Sequence, residues 1–138
     1  MVIALFSGRF QPVHLGHVLT LMNIYPKYSK IIVAITNYTY KGKKPHVLPR
    51  NKVKEILERI FQNLPKIEVV LTEEGFPVRQ TFTDLPEFDV VVTGNRGTIE
   101  NMKNLGIDSE YVPRSYGIGY SGTELREKLN WNEVNKEA

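Results

Sequence analysis

Two kinds of apolar run alternate along the chain. Val2–Phe6 and Lys30–Thr36 are short, nearly continuous hydrophobic stretches, the pattern of strands covered on both faces. Ile67–Leu71 and Val90–Thr93 repeat that pattern, and a short strand is predicted around Glu110–Val112. Between these runs the period lengthens to that of a helix. A helical pattern runs from about His14 to Ile24 and stops near Pro26. Ile56, Ile60 and Leu64 recur at four-residue spacing beside Val53, Leu57 and Phe61, which predicts a helix over Pro49–Asn63. Ile99–Leu105 reads as a helix ended by Gly106, and a last helix is expected from Ser121 to about Leu129.

Apolar strands alternating with amphipathic helices predict an α/β fold: an open, mostly parallel five-stranded sheet with helices on both faces. At 138 residues the chain is expected to form a single domain spanning 1–138. Right-handed crossovers would carry the polar loops after Phe6, Thr36 and Thr93 to one edge of the sheet. In such sheets ligands bind at the carboxyl ends of the strands, beside helix N-termini.

Charge sharpens this picture. Residues 1–54 hold nine Lys and Arg and no carboxylate, whereas residues 55–138 hold the other nine and all fifteen acids. The two parts therefore carry +9 and −6, and the first suits a polyanion: nucleic acid, a nucleotide or a phosphorylated metabolite. With no cysteine, disulfides, thiolate metal sites and a cysteine nucleophile are excluded. No apolar run reaches membrane-spanning length, and Val2–Phe6 is too short for a signal peptide. A cytoplasmic location without membrane association is the expectation.

The densest chemical signal is Gly8-Arg9-Phe10-Gln11-Pro12-Val13-His14-Leu15-Gly16-His17, directly after the first strand. Gly8 allows a tight turn and close approach of a ligand to the backbone. Pro12 stiffens the loop, and Gly16 removes bulk where a helix begins. His14 and His17, three apart, share one face of the first helical turn. Helix-terminal amides and two imidazoles would then converge on one anion. Such a pair can stabilise a pentacoordinate phosphoryl group by electrostatics and positioning. A zinc site fits less well, because His46 is the one remaining imidazole and neither cysteine nor carboxylate is near.

This segment resembles the signature of the nucleotidylyltransferase superfamily with the His-x-Gly-His motif. Its members use a Rossmann-like fold to move a nucleoside monophosphate from a triphosphate, releasing pyrophosphate. A second match lies about a hundred residues downstream, at Tyr120-Ser121-Gly122-Thr123-Glu124-Leu125-Arg126. By itself Ser-x-x-Glu before Leu125 would be a capping box. Paired with the first motif, the resemblance places Ser121, Gly122 and Thr123 on the triphosphate, with Arg126 adding a charged donor one turn further in. The two signatures are most similar to those of archaeal-type nicotinamide-nucleotide adenylyltransferases. In these, Val90-Val91-Val92-Thr93-Gly94-Asn95 resembles the strand before the nucleotide-binding Asn, and Arg96 stands where Pro is common. Lys43-Lys44-Pro45 resembles the loop that gives phosphopantetheine adenylyltransferases a phosphate-binding lysine, and Lys52 stands where their helix has an arginine. In the region where the family stacks nicotinamide on an aromatic, this chain has Phe76 and Phe82, while Trp131 is near its C-terminal end.

The resemblance implies transfer of AMP from ATP to a phosphorylated small molecule, foremost nicotinamide mononucleotide, forming NAD. It places His14, His17 and Arg126 in catalysis. Gly8, Arg9, Phe10, Gly16, Asn95, Ser121, Gly122 and Thr123 would bind ATP, and Lys43 or Lys44 the acceptor phosphate. Magnesium would ride on ATP, with no dedicated metal site, since no carboxylate precedes Glu55. A homo-oligomer is implied. Pantetheine-phosphate adenylyl transfer and cytidylyl transfer to a polyol or choline phosphate are the rival chemistries. A catalytically silent nucleotide sensor, or a nucleic-acid module using Tyr25, Tyr28, Tyr38 and Tyr40, are the rivals from other classes.

Overall fold

The computed structural model describes residues 1–11, 13–36, 48–72 and 85–113. Five strands are found: β1 (Ile3–Gly8), β2 (Lys30–Ile35), β3 (Ile67–Leu71), β4 (Val90–Thr93) and β5 (Ser109–Tyr111). The helices among the described residues are α1 (Leu15–Ile24), α2 (Arg50–Ile60) and α3 (Arg96–Asn104), with a 3-10 turn at Tyr25–Lys27. All four strand pairings are parallel, in the order β3-β2-β1-β4-β5. This is the Rossmann-like architecture expected from the alternation of runs.

The continuous apolar runs are explained by a core on each side of the sheet. Along β1, Ala4 and Phe6 face the cluster formed with Leu21 and Ile24 of α1 and Val53 and Leu57 of α2. Leu5, between them, faces the opposite cluster with Met102 of α3. Strand β2 divides the same way, Ile31, Val33 and Ile35 to one side and Ile32 and Ala34 to the other. Both parities of a central strand are therefore buried, as a parallel sheet covered on two faces requires.

Three helical boundaries differ from the pattern for physical reasons. Pro26 does not simply end α1, because its fixed φ suits the second position of the 3-10 turn that follows. Helix α2 is shorter than its periodic stretch and narrower in its buried stripe. Val53, Leu57 and Phe61 are buried, whereas Ile56 and Ile60 are 41% and 45% exposed. Helix α3 starts at Arg96 rather than Ile99, because the Asn95 side-chain oxygen accepts from Gly97 N–H at 2.8 Å and Thr98 N–H at 3.3 Å. Its end falls as expected. Gly106 adopts φ 72°, and bonds from Gly106 N–H to Lys103 (3.1 Å) and from Ile107 N–H to Met102 (2.8 Å) close a Schellman motif.

Several N-terminal cations are neutralised by acids from later in the chain. Lys27 pairs with Glu110 at 3.6 Å, Lys30 with Glu68 at 2.7 Å, and Lys54 with Glu58 at 3.8 Å. Tyr28, buried under α1, donates its hydroxyl to Glu110. Burial, then the Glu110 hydrogen bond and charge, push the phenol above its ordinary range. The fold thus favours the protonated phenol, a contribution fully present below pH about 10 and lost as pH rises toward the folded-state pKa. Tyr28→Phe is expected to cost about 1.5 kcal/mol in urea unfolding at neutral pH. Above pH about 10 the gap between wild type and variant should shrink; a gap that stays constant to pH 11 would remove Tyr28 from the alkaline response.

Candidate active site

The carboxyl edge of the sheet collects the ends of β1, β2 and β4, as the loop positions predict. Gly8 closes β1, and its carbonyl accepts from Thr36 N–H at 2.9 Å, which ties the end of β2 to it. The chain then turns sharply. Phe10 takes φ 54°, a left-handed conformation that an aromatic residue rarely adopts, and its ring is fully buried. That ring lies over the Gly8 Cα: a Cβ at residue 8 would sit 3.2 Å from Phe10 Cε2 and Cζ. A side chain at position 8 would force the buried Phe10 ring to give by a few tenths of an ångström. Arg9, half-buried between them, has its Nε shielded from solvent.

The strained turn delivers the two histidines. His14 is the N-cap of α1, with extended φ −136° and ψ 173°, and Gly16 is buried in the first turn. His17 is the third helical residue, and its Nδ1 accepts the His14 backbone N–H at 3.1 Å. The two imidazoles are stacked, ring centroids 3.7 Å apart and 22° between planes. Phe10 also meets His17, in an edge contact with centroids at 4.6 Å and 61° between planes. Because Nδ1 accepts a hydrogen bond, the proton of a neutral His17 ring sits on Nε2. A donor is thereby presented at the start of the helix, where the helix dipole also favours an anion.

Asn95 stands at the end of β4, next to β1 in the sheet, exposed and holding the start of α3 through its oxygen. Arg96, where the resembling enzymes often have Pro, lies 4.5 Å from the Tyr111 ring centroid in a cation–π contact. The reversal of strand order between β1 and β4, a topological switch point, therefore lies between the His14–His17 pair and Asn95. Lys43, Lys44, Ser121, Gly122, Thr123 and Arg126 lie outside the described residues, as do Pro12, Phe76, Phe82 and Trp131.

Two residues at this edge were not singled out by the sequence pattern. Lys52 is solvent-exposed and meets Glu55 at 3.5 Å; the basic residue of α2 that reaches the strand ends is Arg50. Its guanidinium donates to the Ile35 carbonyl at 3.1 Å and to the Thr72 carbonyl, bridging the ends of β2 and β3. Arg50 follows Pro49 at the first helical position, the one signal that could have pointed to it. Gln11, inside the signature itself, is 4% exposed and bonded to Leu48 in both directions. Among the described residues, no group of three His, Cys, Asp or Glu is placed to hold a metal ion. No helix among them is long and apolar enough to cross a membrane.

Comparison with known proteins agrees with this geometry. The sequence matches the cytidylyltransferase-like family over residues 5–128. It is 30% identical to a nicotinamide-nucleotide adenylyltransferase of Sulfurisphaera tokodaii, over 95% of this chain and 84% of that protein. It is also 30% identical to nicotinamide-nucleotide adenylyltransferase 1 of Sulfolobus acidocaldarius, over 95% of this chain and 79% of the relative. Among solved structures, a bifunctional NMN adenylyltransferase/ADP ribose pyrophosphatase of Francisella tularensis shares the fold with a TM-score of 0.68 at 22% identity. That match spans 94% of this chain and 42% of the longer one.

Proposed function

The chain belongs to the cytidylyltransferase-like family of nucleotidylyltransferases, and on that premise we propose that it transfers AMP from ATP to nicotinamide mononucleotide, releasing pyrophosphate and forming NAD. The observation that carries this reading is the stacked His14–His17 pair at the N-terminus of α1, beside the β1–β4 switch point. The adenylyl choice rests on the names of the curated relatives, which are nicotinamide-nucleotide adenylyltransferases.

In this reaction a phosphate oxygen of the acceptor attacks the α-phosphorus in line. The bond from that phosphorus to the bridging oxygen breaks, and pyrophosphate leaves with the electron pair. No covalent enzyme intermediate is needed, so the protein contributes position and charge. His17 would donate from Nε2 to a phosphoryl oxygen, with His14 stacked on it and the α1 amides alongside. Gly8, Arg9, Phe10 and Gly16 would shape the loop around the triphosphate, and Asn95 would stand near the base. The family resemblance assigns Arg126, Ser121, Gly122 and Thr123 to the departing phosphates and Lys43 or Lys44 to the acceptor.

The donor set after β1 consists of amides, imidazoles and a guanidinium, which suit phosphate oxygens rather than a cation. Magnesium would be carried by ATP and would neutralise phosphate charge, with no dedicated protein site. A cytoplasmic homo-oligomer is part of the proposal.

A pyrophosphate-release screen tests the reading. ATP and CTP are each offered nicotinamide mononucleotide, pantetheine phosphate, a polyol phosphate and choline phosphate. Release is expected with ATP and nicotinamide mononucleotide, together with NAD. Release with CTP and not ATP would overturn the adenylyl assignment, and release with another acceptor alone the acceptor assignment. ATP binding without turnover would favour a nucleotide sensor, and salt-sensitive oligonucleotide binding indifferent to ATP a nucleic-acid module.

A further inference from the structure

Arg96 directly follows the Asn95 cap and is exposed at the carboxyl edge of the sheet. Its guanidinium carbon lies 4.5 Å from the centroid of the Tyr111 ring. Tyr111 ends β5 and pairs in register with Thr93, the last residue of β4. Two further bonds fix these strand ends. Val112 N–H donates to the Thr93 carbonyl at 2.9 Å, and Asn95 N–H to Thr93 Oγ1 at 3.1 Å. Asn95, Arg96 and the Tyr111 ring therefore form one exposed cluster on the β4–β5 side of the switch point. Tyr111 is 39% exposed, so its pairing with Arg96 is not core packing.

The placement of this cation has a cost that the chain does not offset locally. Arg96 is the first helical residue of α3, where a positive charge opposes the helix dipole and where proline would be well tolerated. No acidic residue stands in that first turn. Glu100 lies four positions on, the spacing at which opposite charges pair along a helix. Among the described residues no ion pair joins the two, and the guanidinium meets the Tyr111 ring instead. By contrast, Lys27, Lys30, Lys52 and Lys54 are each matched by a glutamate. An aromatic ring holds a guanidinium in place without neutralising it. The result is a charged, planar hydrogen-bond donor held next to Asn95 and open to solvent.

We propose that Arg96, held over the Tyr111 ring, is a second nucleotide-binding residue beside Asn95, donating to acceptor atoms on the nucleoside half of ATP. This rests on the adenylyl-transfer reading, in which the triphosphate meets the His14–His17 pair and the base lies near Asn95. The ring nitrogens of a purine and the hydroxyls of its ribose are acceptors suited to the edge of a guanidinium. Tyr111 is then a positioning residue, acting through Arg96.

The test reads binding separately from turnover. Isothermal titration gives the Kd of ATP for wild type, Arg96→Pro, Tyr111→Leu, Tyr111→Phe and the Arg96→Pro/Tyr111→Leu double variant, with inorganic tripolyphosphate as a second probe. Proline suits the first helical position, so Arg96→Pro should fold as wild type does. Should it fail to fold, Arg96→Gln carries the same comparison. The Kd of ATP is expected to rise about tenfold in Arg96→Pro, the loss of one charged hydrogen bond, and that of tripolyphosphate to stay within about twofold. Tyr111→Leu should weaken ATP about threefold and Tyr111→Phe, which keeps the ring, should not. The double variant should bind no more weakly than Arg96→Pro alone. Equal losses for ATP and tripolyphosphate, or no loss for ATP, overturn the proposal. Additive losses in the double variant overturn the positioning role of Tyr111. Wild type that binds ATP without turnover overturns the adenylyl-transfer reading alone, and the Kd values still decide for or against Arg96. Wild type that does not bind ATP overturns both.

Discussion

His17→Ala is expected to lower kcat by about 10²–10³-fold, the usual loss when one preorganised donor to a phosphoryl or oxyanion group is removed. Two functions leave with the ring. The Nε2 donor is lost, and so is the Nδ1 acceptor of the His14 backbone N–H at 3.1 Å. Removing that acceptor alone should cost about 1 kcal/mol of stability. His17→Asn separates the two effects, since its Oδ1 can stand where Nδ1 accepts the amide while nothing replaces Nε2. Stability should return close to wild type in His17→Asn, and turnover should not. Near-normal pyrophosphate release by either variant would remove His17 from the mechanism. If activity were lost only in proportion to unfolding, measured by urea titration at the assay temperature, the role of His17 would be helix capping.

Phe10→Ala is expected to produce the largest loss of stability, about 3–5 kcal/mol by denaturant unfolding. Its ring is fully buried, 6.2 Å from Phe6 and 4.6 Å from His17 between centroids, and rests on Gly8. Those contacts offset the cost of holding a non-glycine residue at φ 54°, about 1–2 kcal/mol. Phe10→Leu fills most of the space but gives His17 no aromatic edge. It should recover much of the stability while leaving turnover reduced. A loss below about 1 kcal/mol in Phe10→Ala would mean that the ring anchors nothing and the turn is held by its flanks. The strain at Phe10 and the placement of His17 are therefore one feature: the buried ring holds the backbone in the turn that presents the imidazoles.

Much of this site was legible locally. His-x-x-His after a buried strand and a glycine placed both rings at a helix start, because helical geometry follows from spacing alone. Gly106 marks the end of α3 by the same short-range logic, whereas the pattern predicts a start at Ile99 and the Asn95 cap places it at Arg96. The resemblance to nucleotidylyltransferases rested on these local motifs and agrees with the family match over 5–128. Lys52 and Arg50 mark the limit. Both are basic and near the start of α2, and nothing in their spacing says which reaches the strand ends. The helix phase and the neighbouring carbonyls of Ile35 and Thr72 decide it for Arg50, leaving Lys52 beside Glu55 in solvent.

The uneven charge along the chain follows the same division. The acid-free first 54 residues suggested a polyanion site, yet Lys27, Lys30, Lys52 and Lys54 are spent on surface pairs with Glu110, Glu68, Glu55 and Glu58. Arg9 and Arg50 remain at the carboxyl edge among the described residues. By itself the sequence determined the elements, their alternation and the glycine- and histidine-bearing loop after β1, since periodicity and turn residues act over a few positions. Tertiary structure alone decided the order β3-β2-β1-β4-β5, the left-handed turn at Phe10 and the Gln11–Leu48 bonds across 37 residues. Each of these depends on hydrogen bonds or packing between distant segments, whose free energies appear only once the chain has closed on itself.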